Sequence, residues 1–182
     1  MKKTIIIIFS IFLNMNFLYA EDRSIELNQL FNELKIEDKN ISYEVEQKIW
    51  KIWSTHPKDN KLTSMLATGT NFVNNNQYSK AIEIFTKVIN LDPSWAEAWN
   101  KRATVLYLTG EFEKSQNDID EVLKLEKRHF GALAGQGLVN IELENYEKAI
   151  TSYEEVMKIY PSMNSPKIMI KQLKELIQKQ SI

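Results

Sequence analysis

Residue types that carry out catalysis are few in this chain, and their spacing does not group them. The only histidines are His56, which precedes a proline, and His129, which lies in a turn between helical segments. Cysteine is absent, so there is no thiol nucleophile, thiolate metal site, disulfide or lipidated cysteine. Acidic pairs such as Glu154 and Glu155 are typical of a solvated helix surface, and no glycine-rich phosphate loop or metal-ligand spacing is present. The sequence predicts a protein that is not an enzyme and needs no cofactor or metal.

The charge balance also excludes one class of partner. The chain has 23 basic and 24 acidic residues, for a formal net charge of −1. A nucleic-acid-binding face needs clustered cations that release phosphate counterions. The densest basic stretch, residues 124–129, is interrupted by Leu125 and Glu126, and its cations suit the end of a helix. No nucleic-acid partner is expected.

The strongest pattern is a repeat of 34 residues. A small residue recurs at this interval, and a large residue recurs one helical turn after it: Ala81, Ser115 and Ala149, followed by Phe85, Ile119 and Tyr153. Self-similarity at this period is typical of helix pairs that stack because one unit alone cannot bury its apolar face. The pattern predicts three such units, at residues 62–95, 96–129 and 130–163.

Within each unit, small residues and turn residues predict how two helices meet and end. The first helix carries a small residue one turn after a large one, which a close helix crossing requires, at Gly69, Ala103 and Gly137. Gly110 and Asn76 suit the left-handed end of a first helix, whereas Glu144 at the matching place is a poorer fit. Asp92-Pro93 and Tyr160-Pro161 predict the ends of second helices.

Helical patterns also flank the units. Residues 21–61 contain two amphipathic segments, Ser24 to Lys35 and Tyr43 to Thr55, which we interpret as a diverged repeat or a cap. Residues 164–182 predict a final helix whose lysines face water, as the capping end of a solenoid requires.

The first twenty residues have the pattern of a secretory signal peptide. Lys2 and Lys3 precede an apolar run from Ile5 to Leu13, and the segment closes at Ala20. We expect a mature chain that begins at Glu21 and is periplasmic or secreted, with no membrane association after cleavage. The alternative is an uncleaved amino-terminal anchor, although the segment is short for a bilayer span.

At these residues the chain resembles the tetratricopeptide repeat family. The clearest match runs from Ala96-Glu97-Ala98-Trp99 through Leu106-Tyr107, Gly110, Phe112 and Ser115. The middle unit departs most, with Ser115, Ile119 and Lys127 where the family prefers Ala, an aromatic residue and Pro. With the signal peptide, the chain is similar to small exported proteins of this family in Gram-negative bacteria. The resemblance implies an all-α fold, a right-handed α-solenoid.

The resemblance also implies a concave groove, lined by the first helix of each pair, that holds a segment of a partner protein. Its positions in this chain are Thr70, Asn74, Asn100, Lys101, Thr104, Tyr107, Leu138 and Glu142, together with Leu66 and Ala134. Tyr107 offers aromatic area and a hydroxyl, Asn100 can hold a peptide amide, and Lys101 can meet a carboxylate. Leu66, Ala134 and Leu138 have an alternative role in packing against neighbouring helices.

Two further expectations follow from the groove positions and the tryptophans. The clamp with which some family members hold the acidic carboxyl terminus of heat-shock chaperones is absent, because its positions carry Leu66, Thr70, Lys101, Gly131 and Gly135. Tryptophans at helical spacing, such as Trp53 and Trp99, are expected in the core.

Two functions remain open at this point. The first is a non-catalytic adaptor that docks part of another envelope protein in the groove. The alternative is a structural or self-assembling envelope protein, a possible homo-oligomer, that associates through its ends or its amino-terminal helices. An exposed apolar face on residues 24–55 would favour the alternative.

Overall fold

The structure is a computed structural model that describes residues 22–36 and 38–180. The predicted signal peptide, residues 1–20, lies outside the described residues. Within the described part, every regular element is an α-helix, which confirms the all-α solenoid. The helices are α1 (22–34), α2 (Lys39–Ser54), α3 (Asn60–Asn74), α4 (Tyr78–Leu91), α5 (Ala96–Leu108), α6 (Phe112–Leu125), α7 (Phe130–Glu142), α8 (Tyr146–Ile159) and α9 (Asn164–Gln180).

Among the described residues, no helix combines the length and the apolar character that crossing a bilayer requires.

Helices α3 to α8 form three pairs, and each pair closes around one small residue. The second helix of the pair sends a large side chain onto that residue, so closely that a Cβ atom on Gly69 would lie 2.4 Å from Phe85, and one on Gly137 would lie 2.5 Å from Tyr153. In the middle pair, Ala103 replaces glycine, and Ile119 is its smaller buried partner. The predicted close crossings are therefore present, and the residue on one helix is matched in size to the residue on the other.

The turns inside the pairs use a left-handed residue at the three places that the repeat predicts. Gly110 has φ 77°, Asn76 has φ 56° and Glu144 has φ 58°. Each is followed by a backbone bond that closes the helix end, such as Gln77 N–H donating to the Phe72 carbonyl at 2.8 Å. Glu144 adopts the conformation despite its Cβ, because the same closing bond from Asn145 to the Asn140 carbonyl is made there at 2.7 Å.

Helices α1 and α2, here called the N-terminal pair, do not form another repeat in front of the first unit. Seven of their apolar side chains are buried in a core shared with the third unit, and the partners there are Phe130, Leu133, Val156 and Tyr160. The predicted apolar stripe is thus covered from within the chain. The pair is a cap laid along the side of the array.

The glycine of the third pair provides a stability test with a control on the same helix. We expect Gly137→Ala to lower the free energy of unfolding by about 1–3 kcal/mol, because its Cβ would overlap the buried Tyr153 ring. For Gly135→Ala the nearest neighbour is Ile119 Cδ1 at 3.6 Å, so its better helix propensity should leave stability unchanged or raised by up to about 1 kcal/mol. Urea unfolding followed by circular dichroism measures both. Equal effects would show that the close crossing does not determine the packing.

Candidate functional site

Helix α2 runs along one rim of the array, across the amino-terminal ends of α5, α7 and α9. It meets the rim about once per turn: Ser42 bonds to Ser162, Glu46 accepts from Tyr160, Trp50 lies on Gly131, and the Trp53 carbonyl accepts from Trp95. A Cβ on Gly131 would lie 2.5 Å from Trp50. The helix therefore closes one side of the surface that the first helices form.

The surface of the repeats on which α2 packs, here called its seat, contains a buried carboxylate, Glu97. Glu97, on α5, is 1% exposed, and its oxygens lie 3.1 Å from His129 Nε2, 3.0 Å from Lys101 Nζ and 3.1 Å from Asn100 Nδ2. Burial alone would raise the pKa of Glu97, but the hydrogen bond from His129 and the charge of Lys101 outweigh it, so its pKa is lowered. Glu97 is a charged, internally paired group.

Aromatic rings of α2 cover this cluster. The Trp53 ring stacks on the His129 ring with centroids 3.9 Å apart and planes 8° apart. The Lys101 ammonium lies 5.7 Å from the centre of the Trp50 ring. Trp53 is buried as expected, whereas Trp99 is only partly buried, with its Nε1 donating to the Pro93 carbonyl.

Both histidines are buried, and each connects a backbone N–H group to a carboxylate through its two ring nitrogens. The sequence pattern did not reveal this role. Each Nδ1 accepts from backbone N–H groups, of Ala132 for His129 and of Lys58 and Asp59 for His56. A nitrogen that accepts from N–H carries no proton, so each Nε2 bears the hydrogen and donates to a carboxylate, Glu97 or Asp92. The sequence showed that both histidines lie in turns, but not that each faces an acid about one repeat earlier or later in the chain.

Burial against the repeats holds the N-terminal pair firmly. Its seven buried apolar side chains correspond to roughly 1.5–3 kcal/mol each on transfer from water. Part of that burial is between α1 and α2, and the conformational entropy lost when the two helices become ordered opposes it. The shared core places the pair along one side of the groove.

Beyond Trp50 the concave surface opens into what we call the groove pocket, a cavity of about 70 Å³ between α5 and α7. Asn100, Thr104, Tyr107, Gly135 and Leu138 line it, and Ser115 and Ile119 of α6 also contribute to it. Gly131, which lies under Trp50, also lines the groove pocket, so the pocket adjoins the part of the surface that α2 covers.

The predicted groove residues divide into three groups. Asn100, Thr104, Tyr107 and Leu138 meet in the groove pocket, and Glu142 joins through a 3.3 Å hydrogen bond from the Tyr107 hydroxyl. Lys101 lies at the edge, against Glu97 and Trp50.

The first unit contributes the third group, which does not line that cavity. Thr70 is partly buried and donates its hydroxyl to the Leu66 carbonyl, and Leu66 itself is buried. Asn74 is exposed at the end of α3. The predicted site is therefore concentrated on the second and third units.

Tyr107 and Glu142 form the polar edge of the groove pocket. Burial and the nearby Glu142 carboxylate raise the pKa of Tyr107, so the phenol remains a hydrogen-bond donor at neutral pH. The surrounding lining of Leu138, Ala103 and Ile119 is apolar. Such a site can take an apolar side chain beside one hydrogen-bonding group.

Among the described residues there is no cluster of three acidic or histidine side chains placed to hold a metal ion.

Comparison with known proteins agrees with this helix-pair architecture. A TPR repeat-containing protein of Rhizobium etli is 29% identical over 82% of this chain and 73% of its own length. The chain is similar to tetratricopeptide repeat proteins. The family model of anaphase-promoting complex, cyclosome, subunit 3 matches residues 72–156.

More distant tetratricopeptide relatives share only part of their length with this chain. RNA polymerase II-associated protein 3 of Xenopus laevis is 26% identical over 54% of the chain, which corresponds to 15% of that relative. The solved first tetratricopeptide domain of Spaghetti has a TM-score of 0.64 at 19% identity, covering 65% of this chain and 94% of that structure. At that identity the likeness shows the fold.

The paired Glu97 predicts an acid-sensitive contribution to stability. Its pKa is lowered on folding from an ordinary value of 4.5, so its stabilisation is complete above that pH and is lost as the pH falls through the folded-state pKa. We expect Glu97→Gln, which cannot titrate, to be less stable than the native chain at pH 7 and to approach it in acid. Urea unfolding at constant ionic strength between pH 7 and 3 measures this difference. Glu83→Gln, at an exposed carboxylate paired with Lys87, is the control and should change little.

Proposed function

We propose that the chain is a non-catalytic interaction adaptor that binds a segment of another protein on the concave face of its repeats. The observation that carries the proposal is the groove pocket, an apolar cavity with Tyr107 and a 39%-exposed Leu138 at its mouth. Exposed apolar side chains around a concave site favour ligand binding over a purely structural role.

The comparison with Spaghetti supports peptide binding as a use of this fold, and the residues argue for a different ligand. That domain is bound to the HSP90 peptide SRMEEVD. In this chain the basic clamp is missing, Gly131 and Gly135 stand at two of its positions, and Trp50 covers the first of them. An acidic carboxyl terminus would meet Trp50 and a single cation, Lys101, which is already paired with the buried Glu97. The ligand we propose is an internal segment, from a protein of the cell envelope.

The self-assembly alternative loses its main support, because the apolar stripe of the N-terminal pair is buried. Ile168 and Leu176 on α9 are 55% and 38% exposed. These apolar side chains support the alternative of association through the carboxy-terminal end of the array. Light scattering after size exclusion distinguishes the two functions. A monomer favours the adaptor, whereas a dimer that Ile168→Ser dissociates would favour self-assembly.

For localisation we propose export to the periplasm or beyond, with cleavage after Ala20. The support is the charged and apolar pattern of residues 2–20. Mass spectrometry of the amino-terminal peptide from the soluble envelope fraction should give Glu21 as the first residue. A peptide that begins within residues 1–20, recovered from the membrane fraction, would instead establish the anchored form.

The adaptor proposal is tested by crosslinked capture from envelope extract, with the groove pocket altered. We expect Tyr107→Ala combined with Leu138→Ser to abolish capture of the specific partner while the thermal midpoint stays near that of the native chain, since both side chains are at the surface of the pocket. Asn100 and Lys101 are left intact because they hold Glu97. Leu91→Ser, at a 63%-exposed leucine at the end of α4, is the matched control and should capture normally. The same proteins captured by all three forms would refute binding in the groove pocket.

A further inference from the structure

The polar side chains of the groove reveal which kind of segment it can hold, an inference that rests on the proposed function. Thr70 and Thr104 donate their hydroxyls to carbonyls of their own helices, those of Leu66 and Asn100. The Asn100 amide and the Lys101 ammonium are both engaged with Glu97. These donors are therefore already engaged within the chain, and the Tyr107 hydroxyl likewise donates to Glu142. The exposed polar groups that remain are at Asn74 and Glu142, at the ends of α3 and α7.

This matters because an extended peptide brings an N–H and a carbonyl at every residue. Buried against groups that are already paired, these would be left without partners, which is costly. A helix satisfies its own backbone and binds through side chains alone. Because the groove has few free hydrogen-bonding groups for a ligand backbone, it suits a helix better than an extended strand.

Apolar side chains are also exposed along the groove. Leu108, which the 34-residue register places with Asn74 and Glu142, is 49% exposed, and Leu138 is 39% exposed. By the 34-residue register, Ile168 and Leu176 of α9 correspond to Ala134 and Glu142 of α7, which are groove positions. Their exposures of 55% and 38% continue the apolar surface onto the last helix.

The same face of the molecule already holds one amphipathic helix. Helix α2 lies on the amino-terminal ends of α5, α7 and α9, and the open strip is continuous with its seat through Gly131, which both Trp50 and the groove pocket touch. Tyr43 precedes Trp50 by seven residues, two helical turns, so it lies on the same side of α2. Its side chain is 61% exposed.

We propose that the occupant of the groove is an amphipathic helix of another protein that lies beside α2. Its apolar side rests on Tyr107, Leu138 and Ile168. Trp50 and Tyr43 form the side wall of the site, so the N-terminal pair takes part in binding the partner. The ends of the partner helix need no free carboxylate.

The test uses the purified protein and a phage library of random 18-residue peptides, each displayed between folded flanking domains so that no carboxyl terminus is free. We expect enriched sequences with apolar residues spaced by three and four. Proline at the centre of an enriched peptide should abolish its binding, whereas proline at its first position should be tolerated. Leu138→Ser should reduce binding of the same peptides.

Two variants on α2 test its role as a side wall. Tyr43→Ala should weaken binding of the selected peptides about fivefold or more, as loss of a contact residue does. Ile41→Ala is the control, because Ile41 is 44% exposed but lies on the opposite side of α2, and it should leave binding within about twofold. Equal effects of the two variants would overturn the side wall.

The outcomes separate this inference from the adaptor function. Peptides that bind through Leu138 and tolerate central proline would overturn the helical ligand and leave groove binding intact. If no enriched peptide depends on Leu138 or Tyr107, both proposals fall.

Discussion

The buried carboxylate of Glu97 is the constraint on which the arrangement of this molecule depends. A charge with almost no exposure must be paired, and its partners come from its own helix and from the turn before α7. Pairing with His129 fixes α5 against α7 and places the imidazole where Trp53 stacks on it. One acid thus links the helix pair α5–α6 to the start of α7, and the N-terminal pair packs on this cluster.

The packing of the N-terminal pair changes the groove. In a bare solenoid the concave face would be open along its whole rim, whereas here α2 occupies the rim from the α4–α5 turn to the α8–α9 turn. Asn100 and Lys101 pair with Glu97 beneath α2, so the binding surface that we propose is centred on Tyr107 and Leu138. The same pairing that stabilises the cap also makes the open part of the groove more apolar.

The repeats tolerate variation because their packing depends on pairs of side chains. The middle unit departs from the family at Ile119 and compensates with Ala103 in place of glycine. Ser115, which replaces the usual alanine, is buried and donates its hydroxyl to the Ala103 carbonyl at 2.8 Å. The departures at Ser115 and Ile119 are thus both accommodated within the middle helix pair.

The sequence by itself determined the helical repeats, their close crossings and the left-handed turns, because these depend on residues within about one 34-residue unit. The family resemblance predicted groove residues, of which Asn100, Thr104, Tyr107 and Leu138 line one pocket. Only the tertiary structure decided where the N-terminal pair lies, since amphipathic spacing shows that a helix has an apolar side but not which surface covers it. For the same reason the buried pairs His129–Glu97 and His56–Asp92 could not be predicted: the repeat pattern does not show which polar side chains face each other, and their burial comes from elements that fold over them.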